Sequence, residues 1–134
     1  VLIKTWKQAR RLRIKRTSPC GIYSDIIEPG VNYFVLMLEQ LGAVTHYSCE
    51  GHPAGFYIVF AAPIAVAERI KRCGFFRVEL EGKMHRCART YLWSLRADYD
   101  EEENKERALS WAAASWTREF GPVERKNEPR RNAR

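Results

Sequence analysis

The first 16 residues contain no acidic side chain, while they hold Lys4, Lys7, Arg10, Arg11, Arg13, Lys15 and Arg16. Nothing inside this segment can neutralise its charge. The chain also lacks an apolar run of the roughly 18 residues that a membrane-spanning helix needs. No basic stretch followed by an apolar run and a small-residue cleavage site is visible, so a cytoplasmic setting is expected. The Gly-rich dinucleotide fingerprint, the P-loop and the HExxH motif are absent, which removes the three commonest short signatures for nucleotide and zinc chemistry. The four cysteines, Cys20, Cys49, Cys73 and Cys87, form no CxxC pair. The strong zinc-ribbon and thioredoxin spacings are therefore missing, and disulfides are not expected.

What is present is uneven charge on a chain long enough for one core. With 134 residues and 46% hydrophobic content, the chain has room for a single folded domain. The net charge is +7. Residues 125–134 carry +4, from Arg125, Lys126, Arg130, Arg131 and Arg134 against Glu128, leaving −4 on residues 17–124. The expected organisation is a basic N-terminal segment over 1–16, a mildly acidic α+β domain over 17–124 and a basic C-terminal tail over 125–134. Basic ends of this kind neutralise phosphates without regard to base sequence. They also serve simply to keep a small protein in solution.

Periodicity gives the elements. Residues 11–16 alternate apolar and basic, as in a half-buried strand with a basic outer face. Before them, Leu2, Ile3, Trp6 and Ala9 suit one or two helical turns, and residues 17–21 read as a loop. Val31, Phe34, Val35, Leu38 and Leu41 follow the i, i+3, i+4, i+7 pattern of a helix over 31–41, stopped by Gly42. Residues 44–49 and 56–60 read as a hairpin. Pro63 opens a helix with Ile64, Ala67 and Ile70 inward, running to Gly74. Residues 76–80 and 85–95 alternate as two more strands about Gly82-Lys83. A last helix starts near Asp98 or Asp100, buries Leu109, Ala112, Ala113, Trp116 and Phe120, and ends at Gly121-Pro122. The order predicts a two-layer α+β sandwich, an antiparallel sheet with helices on one face. It contains a possible duplicated αββ unit plus the C-terminal helix.

Among the aromatics, Phe56, Phe60, Trp93, Trp111 and Trp116 are expected in the core. Tyr47, Phe56 and Tyr57 flank the first hairpin turn, where strand aromatics can stack bases. Trp6, standing among basic residues, is the aromatic expected to touch a partner. Cys73 and Cys87 read as small buried hydrophobes.

The run His46-Tyr47-Ser48-Cys49-Glu50-Gly51-His52 has the look of a metal cluster. Strict strand alternation sends His46 and Cys49 to opposite faces, so only Cys49 and His52 converge, with Cys20 as a third ligand and His85 as a fourth. The same pair could act as nucleophile and base. The structural reading is a tight hairpin in which Gly51 and Gly55 take positive φ and Glu50 and His52 face solvent. A fourth reading is a binding turn at Ser48, Cys49, Glu50, Gly51 and His52, whose backbone N–H groups suit a phosphate or an acidic surface.

Two resemblances attach to this region. Leu41-Gly42-Ala43-Val44-Thr45-His46-Tyr47-Ser48-Cys49-Glu50-Gly51-His52, with Tyr57-Ile58-Val59-Phe60 after it, resembles a group of small uncharacterised proteins from phages and other mobile elements. That resemblance covers residues 30 to 80. It implies no chemistry but an accessory or host-interaction role, including inhibition of a host defence against nucleic acid. More faintly, Ser18-Pro19, Gly21, Ser48-Cys49 and Gly51 are similar to the wybutosine-synthesis tRNA methyltransferase family, in which an arginine stands at the place of His52.

Three functions follow as expectations. The first is a non-enzymatic accessory protein that associates with nucleic acid or a nucleoprotein complex through the basic ends, with no cofactor and with the 48–52 turn as a secondary contact. RNA is slightly favoured because no helix combines exposed basic residues with a groove-reading face. The second is a phage-type inhibitor that binds a host defence protein. The third is an RNA-modifying enzyme that uses Cys49, Glu50 or His52 with S-adenosylmethionine or a metal.

Overall fold

The structure, a computed structural model, describes residues 1–15, 27–49, 55–83, 90–97 and 102–125. Its elements are β1 (Leu2–Ile3), α1 (Trp6–Arg10), a 3-10 turn (Pro29–Val31), α2 (Asn32–Gln40), β2 (Val44–Cys49) and β3 (Phe56–Pro63). They continue with α3 (Ile64–Arg72), β4 (Arg77–Lys83), β5 (Thr90–Ala97), α4 (Glu102–Phe120) and β6 (Val123–Glu124). The expected α+β class holds, with helices on one face of an antiparallel sheet.

The main sheet has the order β2-β3-β5-β4. The second strand of each hairpin lies inside, and β3 and β5 join the two hairpins antiparallel with Phe60 opposite Trp93. This arrangement carries the αββ repeat. α2 and α3 each end before a glycine in the left-handed region, Gly42 at φ 93° and Gly74 at φ 85°, where a β-carbon is disfavoured. Each edge strand then carries a bulge. In β2 it lies between Thr45 and Tyr47, opposite Phe60 and Val59. In β4 it lies between Leu80 and Gly82, opposite Trp93 and Leu92. Because Phe60 and Trp93 are themselves partners, the two bulges stand at equivalent places about the central seam. Bulges twist edge strands away from further pairing.

Cross-strand partners share a face of the sheet. Phe56, Ile58, Phe60 and Leu95 project to the helix side and are buried. There Phe34 of α2 makes edge contacts with Phe56 (5.4 Å between ring centroids), Phe76 (5.1 Å) and Trp116 of α4 (5.1 Å), while Phe56 and Phe76 stack at 5.1 Å. These offset and T-shaped pairs suit the ring quadrupoles.

Helix α2 is buried all round from Asn32 to Leu38, not on one stripe, and only Glu39 and Gln40 at its end open to solvent. Its outer side is covered by α1, α4 and a second, two-stranded sheet in which Leu2 pairs with Glu124 and Ile3 with Val123. Periodicity around one helix cannot reveal a cover built from the two ends of the chain. The 11–16 strand does not form over its described part. Leu12 and Ile14 do turn inward and Arg11, Arg13 and Lys15 outward, but only an isolated bridge at Lys15 and the Ile27 N–H to Ile14 carbonyl bond (2.9 Å) mark this stretch. Of the tryptophans expected in the core, Trp116 is fully buried. Trp93 is half-buried, its Nε1 donating to the Ala62 carbonyl at 2.9 Å. Trp111 is 56% exposed, contrary to expectation. It lies five residues before Trp116, which at about 100° per residue turns it some 140° away from the buried stripe. Cys73 is half-buried rather than fully so, and Cys87 lies outside the described residues.

Candidate functional site

The basic N-terminal segment is docked into the same core as the rest of the chain. Ile3, Trp6, Ala9 and Ile14 are all buried. Thr5 starts α1 with a reciprocal cap: its hydroxyl accepts from the Gln8 N–H at 3.1 Å, and the Gln8 side-chain oxygen accepts from the backbone of Lys4 (2.8 Å) and Thr5 (3.2 Å). Five residues are too few for a helix to persist on propensity alone. Tertiary bonds hold it. The Asn32 side-chain amide donates to the carbonyls of Ala9 (3.0 Å) and Leu12 (2.8 Å), satisfying the end of α1 and bending the chain there.

Trp6 corrects its expected role. It is 2% exposed, and its indole Nε1 donates to the Gly30 carbonyl at 2.8 Å. At 2% exposure the indole offers a partner almost no surface, although the residue lies on the wall of the cleft between α1 and α4. It works from beneath, and the Arg10 guanidinium lies 5.0 Å over its ring.

With the apolar residues turned in, the cations are turned out. Lys4, Lys7, Arg10, Arg11, Arg13 and Lys15 are all exposed. Glu106 of α4 meets two of them, Lys7 at 3.5 Å and Arg10 at 3.7 Å. Both pairs lie in solvent, where such contacts hold weakly and yield to a polyanion. Arg11, Arg13 and Lys15 make no ion pair among the described residues. The two basic ends also meet. The Val1 amino group donates to the Arg125 carbonyl and the Arg125 N–H to the Val1 carbonyl, each at 2.9 Å. Gln40 fastens the same corner, accepting from Glu124 N–H at 2.7 Å and donating to the Pro122 carbonyl at 3.0 Å. Arg125 thus stands beside the start of the chain. Arg16, Lys126, Arg130 and Arg131 lie outside the described residues.

Between α1 and α4 is a cleft of about 550 Å³, lined by Lys4, Thr5, Lys7, Glu106, Arg107 and Ser110 among others. Three cations there face one acid. The Ser110 hydroxyl oxygen is buried and has no hydrogen-bond partner among the described residues. Arg107 and Ser110 were not anticipated from sequence, although their spacing from Trp111 on one helix was readable.

The motif turn is only partly described. Ser48 lies opposite Ile58, on the helix side of the sheet, and Cys49 opposite Tyr57, on the open side; both are half-buried. Glu50, Gly51 and His52 lie outside the described residues. The β2 bulge falls on His46, so strict alternation does not carry across it, and the opposite-face expectation for His46 and Cys49 loses its basis. Among the described residues no group of three His, Cys, Asp or Glu side chains is placed to hold a metal ion. Cys49 and Cys73 are free thiols, and burial pushes the Cys73 thiol above its ordinary range.

No protein-family model, curated protein or solved structure matches this chain. No helix among the described residues is long and apolar enough to cross a membrane.

Proposed function

We propose that this protein binds nucleic acid through phosphate contacts made by its docked N-terminal segment, with Arg125 beside it. One observation carries the reading: six exposed cations between Lys4 and Lys15 stand on a segment whose apolar side chains are buried and whose backbone is tied down by Asn32 and Gln8. A polyanion meeting this surface does not have to order it first, so less conformational entropy is lost than on a free tail. The α1–α4 cleft adds a concave position with an excess of positive charge, where the field is stronger than on a flat surface.

The test is neutralisation of the array against a control elsewhere. Replacing Lys4, Arg11, Arg13 and Lys15 by Gln lowers nucleic-acid affinity and flattens the dependence of log K on log salt, by roughly 0.9 per lost phosphate contact on duplex DNA and 0.7 on a single strand. Replacing Lys71 and Arg72, exposed on α3, by Gln leaves both unchanged. Equal loss from the two sets indicates nothing more than net charge and removes the proposed surface.

A further inference from the structure

Helix α4 turns an aromatic outward beside the basic cleft. Trp111 is 56% exposed, the most exposed aromatic side chain among the described residues. The buried stripe of α4 (Leu109, Ala112, Ala113, Trp116) lies on the other side of the helix. Trp111 therefore makes no use of its apolar surface in the core. One side of it packs against Phe75, with centroids 5.8 Å apart in a tilted arrangement, which restrains the ring.

On its own helix face Trp111 stands between two cations, with the small residues Ala108, Ala114 and Ser115 beside it. Arg107 comes one turn before it and Arg118 two turns after, both within about 40° of arc of Trp111 at 3.6 residues per turn. Both arginines are exposed, and neither has an ion pair among the described residues. Arg107 also lines the α1–α4 cleft with Lys4, Lys7 and Ser110, whose buried hydroxyl lacks a partner among the described residues. Trp111 does not itself line the cleft, and Arg107, one helical turn away, is the link between them. The rise from Arg107 to Trp111 is about 6 Å along the helix axis, close to the reach between a nucleotide's phosphate and its base.

We infer that Trp111 is a stacking platform for an unpaired nucleobase, with the adjoining phosphate seated in the α1–α4 cleft against Lys4, Lys7 and Arg107. The preferred ligand is therefore single-stranded nucleic acid. This rests on the nucleic-acid reading above and narrows it. A paired base keeps its faces inside the duplex and cannot lie on an indole, whereas an unpaired base offers its face to any flat ring, with little regard to sequence. The cleft supplies what a bare exposed tryptophan lacks, a fixed site for the charge attached to that base. Among the described residues Glu106 is the one acid on the cleft, and its pairs with Lys7 and Arg10 lie in solvent, so an incoming phosphate takes over those cations.

The experiment compares the full chain with Trp111→Ala and Trp111→Phe, using an oligouridine and an RNA duplex with the same number of phosphates. Because Trp111 is more than half exposed, its thermal unfolding curve serves as the check that each variant folds. Trp111→Ala is expected to weaken oligouridine binding about tenfold. Trp111→Phe is expected to retain most of it, and duplex binding and the salt slope are expected to stay as in the parent chain. Oligouridine should also quench the parent's tryptophan emission and lose most of that effect in Trp111→Phe, since Trp6 and Trp116 are buried and Trp93 is half-buried with its Nε1 bonded to the Ala62 carbonyl. Salt-dependent binding that is indifferent to Trp111→Ala overturns the stacking site while leaving the phosphate surface standing, and assigns the exposed indole to a protein surface instead. Equal weakening on single strand and duplex also overturns it. Failure of the parent chain to bind either ligand at low salt overturns the broader reading with it.

Discussion

The Thr117 hydroxyl donates to the Lys4 backbone carbonyl at 2.9 Å, tying the first cation of the basic segment to the long C-terminal helix. With its proton so used, Thr117 accepts from the Tyr33 hydroxyl. A chain of two hydrogen bonds thus runs from the buried helix α2 through α4 to the backbone beneath the cleft. Thr117→Val removes the middle of the chain and leaves the buried Tyr33 hydroxyl without its acceptor. The expected loss is about 1–3 kcal/mol of stability, read from the urea midpoint at unchanged m-value. A shift within error would show that the relay does not hold the segment.

The same pair sets a pH dependence. Burial raises Tyr33 to about 12 from an ordinary 10.0, with the Thr117 bond acting the other way and Cys73 adding to the rise. The folded state therefore keeps the neutral phenol where the unfolded chain has lost its proton. That contribution to stability is fully present below pH 10 and is lost as pH rises through the folded value near 12. Denaturant titrations of the parent chain at increasing alkaline pH should show this decline, and Tyr33→Phe should show a shallower one. Identical slopes would mean that Tyr33 is not the group being titrated.

Asn32 is the clamp on α1. It is fully buried, and its amide serves two carbonyls at once. Asn32→Ala strands the Leu12 carbonyl and leaves the Ala9 carbonyl with the Leu12 N–H alone (3.0 Å), and it is expected to cost roughly 1–3 kcal/mol. It should also open the segment locally, so brief trypsin treatment under native conditions should cut at Arg10, Arg11 or Arg13 sooner than in the parent. Unchanged cleavage there would show that the segment is held by Trp6 and Ile14 without the clamp.

The repeat has its own signature. A β-carbon at Gly42 or Gly74 would meet nothing within 4 Å, so replacement by alanine costs only the backbone strain of positive φ. The expected penalty is about 1–2 kcal/mol at each site, nearly equal at the two. A much larger loss at one position would show that the two helix ends are not equivalent.

Much of this fold was legible because its signals are local. Gly42, Gly74 and Gly121 each mark a helix end, and the pattern of Phe56, Ile58 and Phe60 marks one buried strand face. The errors have a common cause. Neighbours in sequence place Trp6 outside and Trp111 inside, and the structure exchanges their places. Trp6, among lysines and arginines, is buried against a distant segment, whose Gly30 carbonyl accepts its indole N–H. Trp111, among alanines, is exposed because helical phase and not local hydrophobicity decides its side. Its five-residue offset from Trp116 carried that information. By contrast, no periodicity could disclose the pairing of Leu2 and Ile3 with Val123 and Glu124, which joins the two basic ends. The bulge at His46 was equally hidden, since a bulge is set by pairing with Val59 and Phe60 and not by the strand's own residues.

The most direct measurement of the central claim is the affinity of the full chain for nucleic acid as a function of salt. Binding whose log K falls with log salt by several units, at roughly 0.7 to 0.9 per phosphate contacted, is the predicted result. Absence of binding at low ionic strength, where exposed cations act most strongly, would contradict the claim that the surface from Lys4 to Lys15 is a phosphate-binding site.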